Sequence, residues 1–342
     1  MSKGIVRIIT GTFSLLMFVY FRGFSQEDTS HSVRLMFYNV ENLFDIYNDS
    51  LTDDDEFLPG SPRRWNSERY YNKINAVYKT IIAAGEFSPP ALVGLCEIEN
   101  RKVIRDLVYG TGLAKYDYDI IHEESPDPRG IDVCLIYRRD IITVFEYKYL
   151  IPDDLTLNKF RSRTVLYAKC GIFGDTIHFF LNHWPSRRGG VLAGDYLRSA
   201  IAEMIKRKSD SIAVESVNPP YIIIAGDFNS SPADHAIEKL TSGYESGISM
   251  INLSSFLPDY SGTYKYMGTW EMIDQIIVSD AVTDSRKGLC RKKGSMMIFN
   301  PDFLLKADPK YPGYRPYSTY LGYRYQGGFS DHLPVLLDLR KE

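Results

Sequence analysis

The sequence predicts an α/β (α+β) fold in which mixed β-sheets are flanked by helices, formed as a single domain over residues 26–342. Three observations lead there. Strand-like runs alternate irregularly with helical periodicity, hairpins fall between helix-linked strands, and no linker-like stretch divides the 342 residues. Apolar and charged fractions of 44% and 24% are those of a globular chain.

The elements follow in order. Lys3 and Arg7 precede an apolar run over residues 8–20, and Gly23 and Ser25 supply small residues before Gln26. That is the layout of a secretory signal over residues 1–25, too short for a comfortable membrane span, and it predicts export to the periplasm or the outside. Residues 33–40 (VRLMFYNV) read as a strand, and 49–67 as a loop whose acidic run, Asp53 to Glu56, is solvated. Residues 68–84 carry Ile74, Val77, Tyr78 and Ile81 at helical spacing, with Gly85 as a cap. A buried strand at 91–98, a helix at 101–109 and strands at 118–122 and 131–137 come next, with 141–150 as the hairpin partner of the last. Strands at 163–171 and 176–182 join at Gly174 and Asp175, ahead of a loop at 183–190 and an amphipathic helix at 195–208. Tyr221, Ile222, Ile223 and Ile224 open a strand buried on both faces, closed by Gly226 and the turn residues up to Pro232. A short helix from Ala233, a strand at 272–278, a long aromatic segment at 284–326 and a last strand at 333–339 complete the chain. A segment as long as 284–326 without strong periodicity borders a site or packs over the core.

Charge narrows the function classes. The net charge is −3, about −6 once the segment before Gln26 is removed, which excludes binding to nucleic acid through bulk basicity. Any polyanion must be held by local patches. Cys96, Cys134, Cys170 and Cys290 have no Cys-x-x-Cys spacing; the first three sit in apolar strand-like runs and read as buried free thiols, while export leaves one disulfide open.

Polar clusters fall where strands end: Asn39 with Glu41, Glu97, His183, Asp227 with Asn229, Asp274, and Asp331 with His332. Each alone has a bland reading, an Asx turn, a cap or a satisfied core group. Together they are complementary, with carboxylates and amides suited to a hard cation and imidazoles suited to proton traffic. Strand ends that share a cleft are where such groups accumulate.

The segments YNVEN (38–42), CEIEN (96–100), NHWPS (182–186), GDFNSSP (226–232), IDQIIVS (273–279) and FSDHLPV (329–335) resemble, in order, the motifs of the endonuclease/exonuclease/phosphatase superfamily with the deoxyribonuclease I fold. The resemblance spans nearly the whole chain after residue 26, and GDFN with SDHLPV is highly specific. It implies a four-layered sandwich of two mixed sheets with helices outside. It also implies phosphoester cleavage with Mg²⁺, or Mn²⁺ or Ca²⁺ in its place. By the same resemblance Glu97 is the principal metal ligand, with Asn39, Glu41 and Asp331 completing the metal group. Asp227 and Asn229 match the pair that orients water and phosphate, His332 the family histidine and Asp274 its partner. His183 falls where members contact phosphate or the leaving oxygen. The Gln that usually precedes the metal glutamate is Cys96 here, and as a strand neighbour it should face away from the metal. Arg129, Arg187 and Arg188 flank these motifs in loops and are candidate phosphate ligands through their forked donors.

The expected function is an exported metal-dependent phosphodiesterase, foremost a nuclease acting on DNA or RNA, working as a monomer without a protein partner. The alternative is the same chemistry on a phospholipid or sphingolipid head group or a sugar phosphate. A binding module on a dead scaffold is disfavoured by the intact set of site residues. Whether His332 or Asp227 takes the proton from water is open at this level.

Overall fold

A computed structural model describes residues 32–152, 161–186, 191–284, 288–291 and 296–341. The expected signal segment, Arg187 and Arg188 lie outside the described residues. The first part of the chain forms β1 (Ser32–Leu43), α1 (Ser67–Ala84), β2 (Leu92–Ile98), α2 (Arg101–Tyr109), β3 (Tyr118–His122), β4 (Asp132–Arg138), β5 (Ile142–Leu150), β6 (Val165–Ile172) and β7 (Asp175–His183). Then come α3 (Val191–Glu215), β8 (Tyr221–Asp227), α4 (His235–Thr241), β9 (Met250–Asn252), β10 (Tyr264–Tyr266), β11 (Thr269–Glu271), β12 (Asp274–Ser279) and α5 (Asp280–Thr283). Short strands follow: β13 (Leu289–Arg291), β14 (Met297–Ile298), β15 (Leu305–Ala307), β16 (Tyr314–Pro316), β17 (Tyr320–Leu321) and β18 (Arg324–Tyr325), before the closing β19 (Val335–Lys341).

Two large mixed sheets result. One runs β13-β19-β1-β2-β4-β3, with β14 also on β19; the other runs β5-β6-β7-β8-β12-β9. β1 and β2 are parallel, as are β7 and β8, and the remaining pairs within these sheets are antiparallel. Side-chain alternation assigns each face. Leu35 and Phe37 of β1 meet Phe179, Leu181, Ile223 and Ala225 of the opposite sheet in one core. Met36, Tyr38 and Val40 turn instead to Ile74, Val77 and Ile81 of α1. Ile222 and Ile224 pack outward with Ile201 and Ile205 of α3. The layers are therefore helix, sheet, sheet and helix, as the resemblance implied.

One pairing differs from the sequence expectation. The strand at Ile142–Leu150 is not the hairpin partner of β4; it pairs with β6 in the other sheet. Both edges of β4 are already taken, by β2 and β3, so the next strand must leave that sheet. The α3 helix also extends beyond the expected 195–208 at both ends. The four cysteines are free and buried.

Candidate active site

The inner-face rows that build the core end in polar residues at one edge of the sandwich. On β1 the row Leu35, Phe37 continues to Asn39; on β7 the row Phe179, Leu181 continues to His183; on β8 the row Ile223, Ala225 continues to Asp227. On β12, Asp274 opens the row that continues to Ile276 and Val278. Register completes the gathering. His183 pairs with Asp227 along β7 and β8, and Asp227 pairs with Asp274 across β8 and β12. Gly226 permits this approach, since a Cβ there would lie 2.3 Å from the Asn182 carbonyl oxygen.

Backbone distortion places the rest. Glu41, Asn42, Glu97 and Asn229 have φ of 54°, 55°, 63° and 47°, in the left-handed region that costs a non-glycine residue of order 1–3 kcal/mol. At Glu97 the β2–β4 register shifts between Cys96 and Ile98, so Cys96 stays in the inter-sheet core while Glu97 turns into the cleft. Its Oε2 accepts a hydrogen bond from the Asn42 amide at 2.9 Å.

Asp274 Oδ2 lies 2.8 Å from His332 Nδ1, so this ring nitrogen carries the proton and donates it, leaving Nε2 to face the cleft. The Thr263 hydroxyl donates to the same oxygen. Burial opposes a charge on His332, but Asp274, Asp331 and Asp227 outweigh it and hold the ring's pKa well above the ordinary value. Asp227 is gripped on both oxygens, by the Asn229 amide at 2.9 Å and Asn39 Nδ2 at 3.1 Å. Burial and then Asp274 push its carboxyl up to about 7, against the pull of His332. His183 Nε2 stands 3.7 Å from Asp227 Oδ2 and 3.9 Å from Glu97 Oε1. Burial, reinforced by the charges of Arg163, Arg129 and His332, holds this imidazole neutral.

Asn39 presents its amide to the same group. Its Oδ1 accepts from the Glu41 amide at 2.9 Å, so Nδ2 faces the cleft, 3.5 Å from both Glu97 Oε1 and His332 Nε2. Turning the amide over would set an oxygen against the Asp227 carboxylate, so Nδ2 is the end that meets Asp227.

Glu41, Glu97 and Asp331 share the remaining end of the cleft. Glu41 is turned toward the Thr319 and Tyr320 amides, at 2.6 and 3.3 Å. Burial and Asp331 push its carboxyl up to about 7, against Lys73, whose Nζ lies 3.9 Å from Glu41 Oε2. Recession in the cleft pushes Asp331 up as well, His332 opposing and Glu97 adding to the shift. These three donors do not close to within 4.8 Å of one another, whereas Asp227, Asp274 and His332 do. Crowded carboxylates offset by one buried ammonium are a hard-oxygen donor set that fits a divalent cation. The Asp227 trio is locked by the His332–Asp274 bond, an arrangement in which a proton can pass between carboxylate and imidazole.

The arginines divide. Arg129 is 46% exposed at its side chain and lies 3.5 Å from Asp127, free to reach outward. Arg163 is committed to structure, donating to Asp127 and to the Trp184 carbonyl from a buried position. Asn229 Nδ2 donates to that same carbonyl at 2.9 Å. Sequence reasoning missed Lys73 and Thr263. Lys73 interrupts the buried face Tyr70, Ile74, Val77 of α1, a signal that a charged partner waits beneath it. Thr263 carries no such signal.

The profile described as "Endonuclease/Exonuclease/phosphatase family" matches residues 34–341. No curated protein matches the sequence. Among solved structures, an endonuclease/exonuclease/phosphatase from Bacteroides vulgatus is 18% identical, with a TM-score of 0.57 over 91% of this chain and 99% of that one. D. rerio TDP2 complexed with single strand DNA product is 13% identical, with a TM-score of 0.56 over 90% of this chain and 99% of that one. A mannosyl-6-phosphatase from Bacteroides thetaiotaomicron VPI-5482 is 16% identical, with a TM-score of 0.56 over 90% of this chain and 99% of that one.

Proposed function

Since the chain belongs to the endonuclease/exonuclease/phosphatase family, and is thus a hydrolase of phosphoester bonds, we propose that it is a divalent-metal-dependent phosphodiesterase that cleaves DNA or RNA by in-line attack of water. The observation that carries the reading is the convergence of Asp227 and His332 on Asn39 Nδ2, with the His332 ring fixed by Asp274. Glu97 and Asp331, backed by Glu41, would hold the cation. Bound there, Mg²⁺, or Mn²⁺ or Ca²⁺, would polarise the phosphoryl group and orient the water.

The chain's own residues do the rest. Asp227, held at both oxygens with a carboxyl near neutrality, takes the proton from water. Cationic His332 donates from Nε2 to the oxygen on which charge develops, and Asp274 orients the ring and holds the Nδ1 proton once Nε2 has given its own up. Asn39 Nδ2 donates to a phosphoryl oxygen, and neutral His183 stands beside Asp227 and Glu97. Asn229 fixes Asp227 through its amide.

The single strand DNA product held by the TDP2 relative supports nucleic acid as the substrate class; the mannosyl-6-phosphatase relative makes sugar phosphate the comparison to run.

A nuclease must neutralise phosphates around the cut, and each one releases counterions. With an acidic chain, this falls to Arg129, Arg187 and Arg188; Arg163 is locked in place by Asp127 and the Trp184 carbonyl. The Michaelis constant for a short duplex is expected to rise steeply with salt. Arg187→Glu with Arg188→Glu should weaken DNA binding and flatten that slope, while hydrolysis of a small diester stays nearly unchanged. A flat salt response on DNA, with equal losses on both substrates, overturns the nucleic-acid reading. We extend the proposal to location: the protein is exported and its mature N-terminus lies at Gln26. Mass spectrometry of the secreted protein checks this, and retention of residues 1–25 overturns it.

A further inference from the structure

A second group of metal-ligating side chains lies outside the cleft. β3 ends at His122, β4 begins at Asp132, and the loop between them brings Glu124 back to both. One ligand atom from each of the three lies within 4.8 Å of the others. His122 Nε2 is 3.1 Å from Asp132 Oδ2. Two donors bound to one ion at about 2.0–2.2 Å, at angles from square to tetrahedral, stand roughly 2.8–3.6 Å apart. The pair is therefore already spaced for a shared ion.

The surroundings are those of a built site. The His122 and Asp132 side chains are each 1% exposed and are set by the ends of paired strands. Asp132 Oδ1 is fixed by the Ser125 amide at 2.7 Å, which leaves Oδ2 turned to the imidazole. Glu124 is exposed, so two preset donors sit at the base and a third at the mouth. The Glu124 carboxyl hydrogen-bonds that of Asp132 and feels the negative charges of Asp132 and Asp49. An imidazole among the donors favours a borderline ion such as Zn²⁺ over Mg²⁺ or Ca²⁺, which prefer oxygen alone.

We propose that His122, Glu124 and Asp132 form a second cation site that takes Zn²⁺ or a similar transition ion with three protein ligands. It is separate from the phosphoester cleft and does not depend on the reaction assigned there. The ion ties the loop 123–131 to the ends of β3 and β4. That loop carries Arg129 and also Asp127, which anchors buried Arg163.

Isothermal titration of the chelator-treated full chain with Zn²⁺ tests the site. Wild type is expected to take up one equivalent here in addition to any bound in the cleft, and Glu97→Gln, which quiets the cleft, should retain that one. Adding Glu124→Gln to the Glu97→Gln chain should weaken the remaining equivalent at least tenfold. Adding His122→Ala should abolish it. Glu124 is exposed, so its replacement leaves folding intact, and near-ultraviolet circular dichroism verifies this. Zn²⁺ should also raise the thermal midpoint of the Glu97→Gln chain, and raise it less in its Glu124→Gln derivative. Failure of the Glu97→Gln chain to bind Zn²⁺, or binding that Glu124→Gln and His122→Ala leave unchanged, overturns the proposal.

Discussion

Replacing His332 with alanine is expected to lower turnover by roughly two to four orders of magnitude, the range for a positioned proton-transfer group. The ring is held at 2.8 Å by Asp274, and its charge is sustained by the carboxylates around it. Asp274→Asn should recover only part of the wild-type rate, because an amide facing Nδ1 neither fixes the tautomer nor favours the cation. Steady-state rates of both variants on one small diester check this. A silent Asp274→Asn beside a crippled His332→Ala would show that the pair, though close, does not work as a unit.

Glu97→Gln is expected to lose several kcal/mol of transition-state stabilisation, at least roughly a hundredfold in rate, through the cation it can no longer hold. Shape is conserved, and the side-chain oxygen that accepts the Asn42 amide is retained, so the fold should persist. A Mg²⁺ titration of activity, with circular dichroism as the control, is the measurement. Ordinary turnover across that titration would remove Glu97 from the metal group.

Much of this cleft is legible in the sequence because strands have a period of two. Reading Leu35, Phe37, Asn39 or Ile223, Ala225, Asp227 as one face shows an apolar row that ends in a polar group. The rule fails where the backbone departs from it. Plain alternation would send Glu97 to the helix side with Leu95, and only the bulge and its positive φ bring it into the cleft. Local pairing also misleads at Ile142–Leu150, since a strand seeks its neighbour along the chain only when that edge is open. Which end of the Asn39 amide faces inward depends on Asp227, a partner 188 residues away, and no local pattern contains it.

The sheet order has a further consequence, for how activity first arises. Asn39 meets Asp227 across 188 residues and His332 across 293, and His332 meets Asp274 across 58. Neither sheet alone contains the centre: Asn39 and Glu97 belong to one, His183, Asp227 and Asp274 to the other. Catalytic competence is therefore a late event in folding, reached when the sheets dock and the C-terminal segment closes against β1. A nascent chain on the ribosome stays inert until residue 332 has emerged and found its place. During refolding, recovery of hydrolysis should trail recovery of secondary structure and coincide with burial of the inter-sheet core.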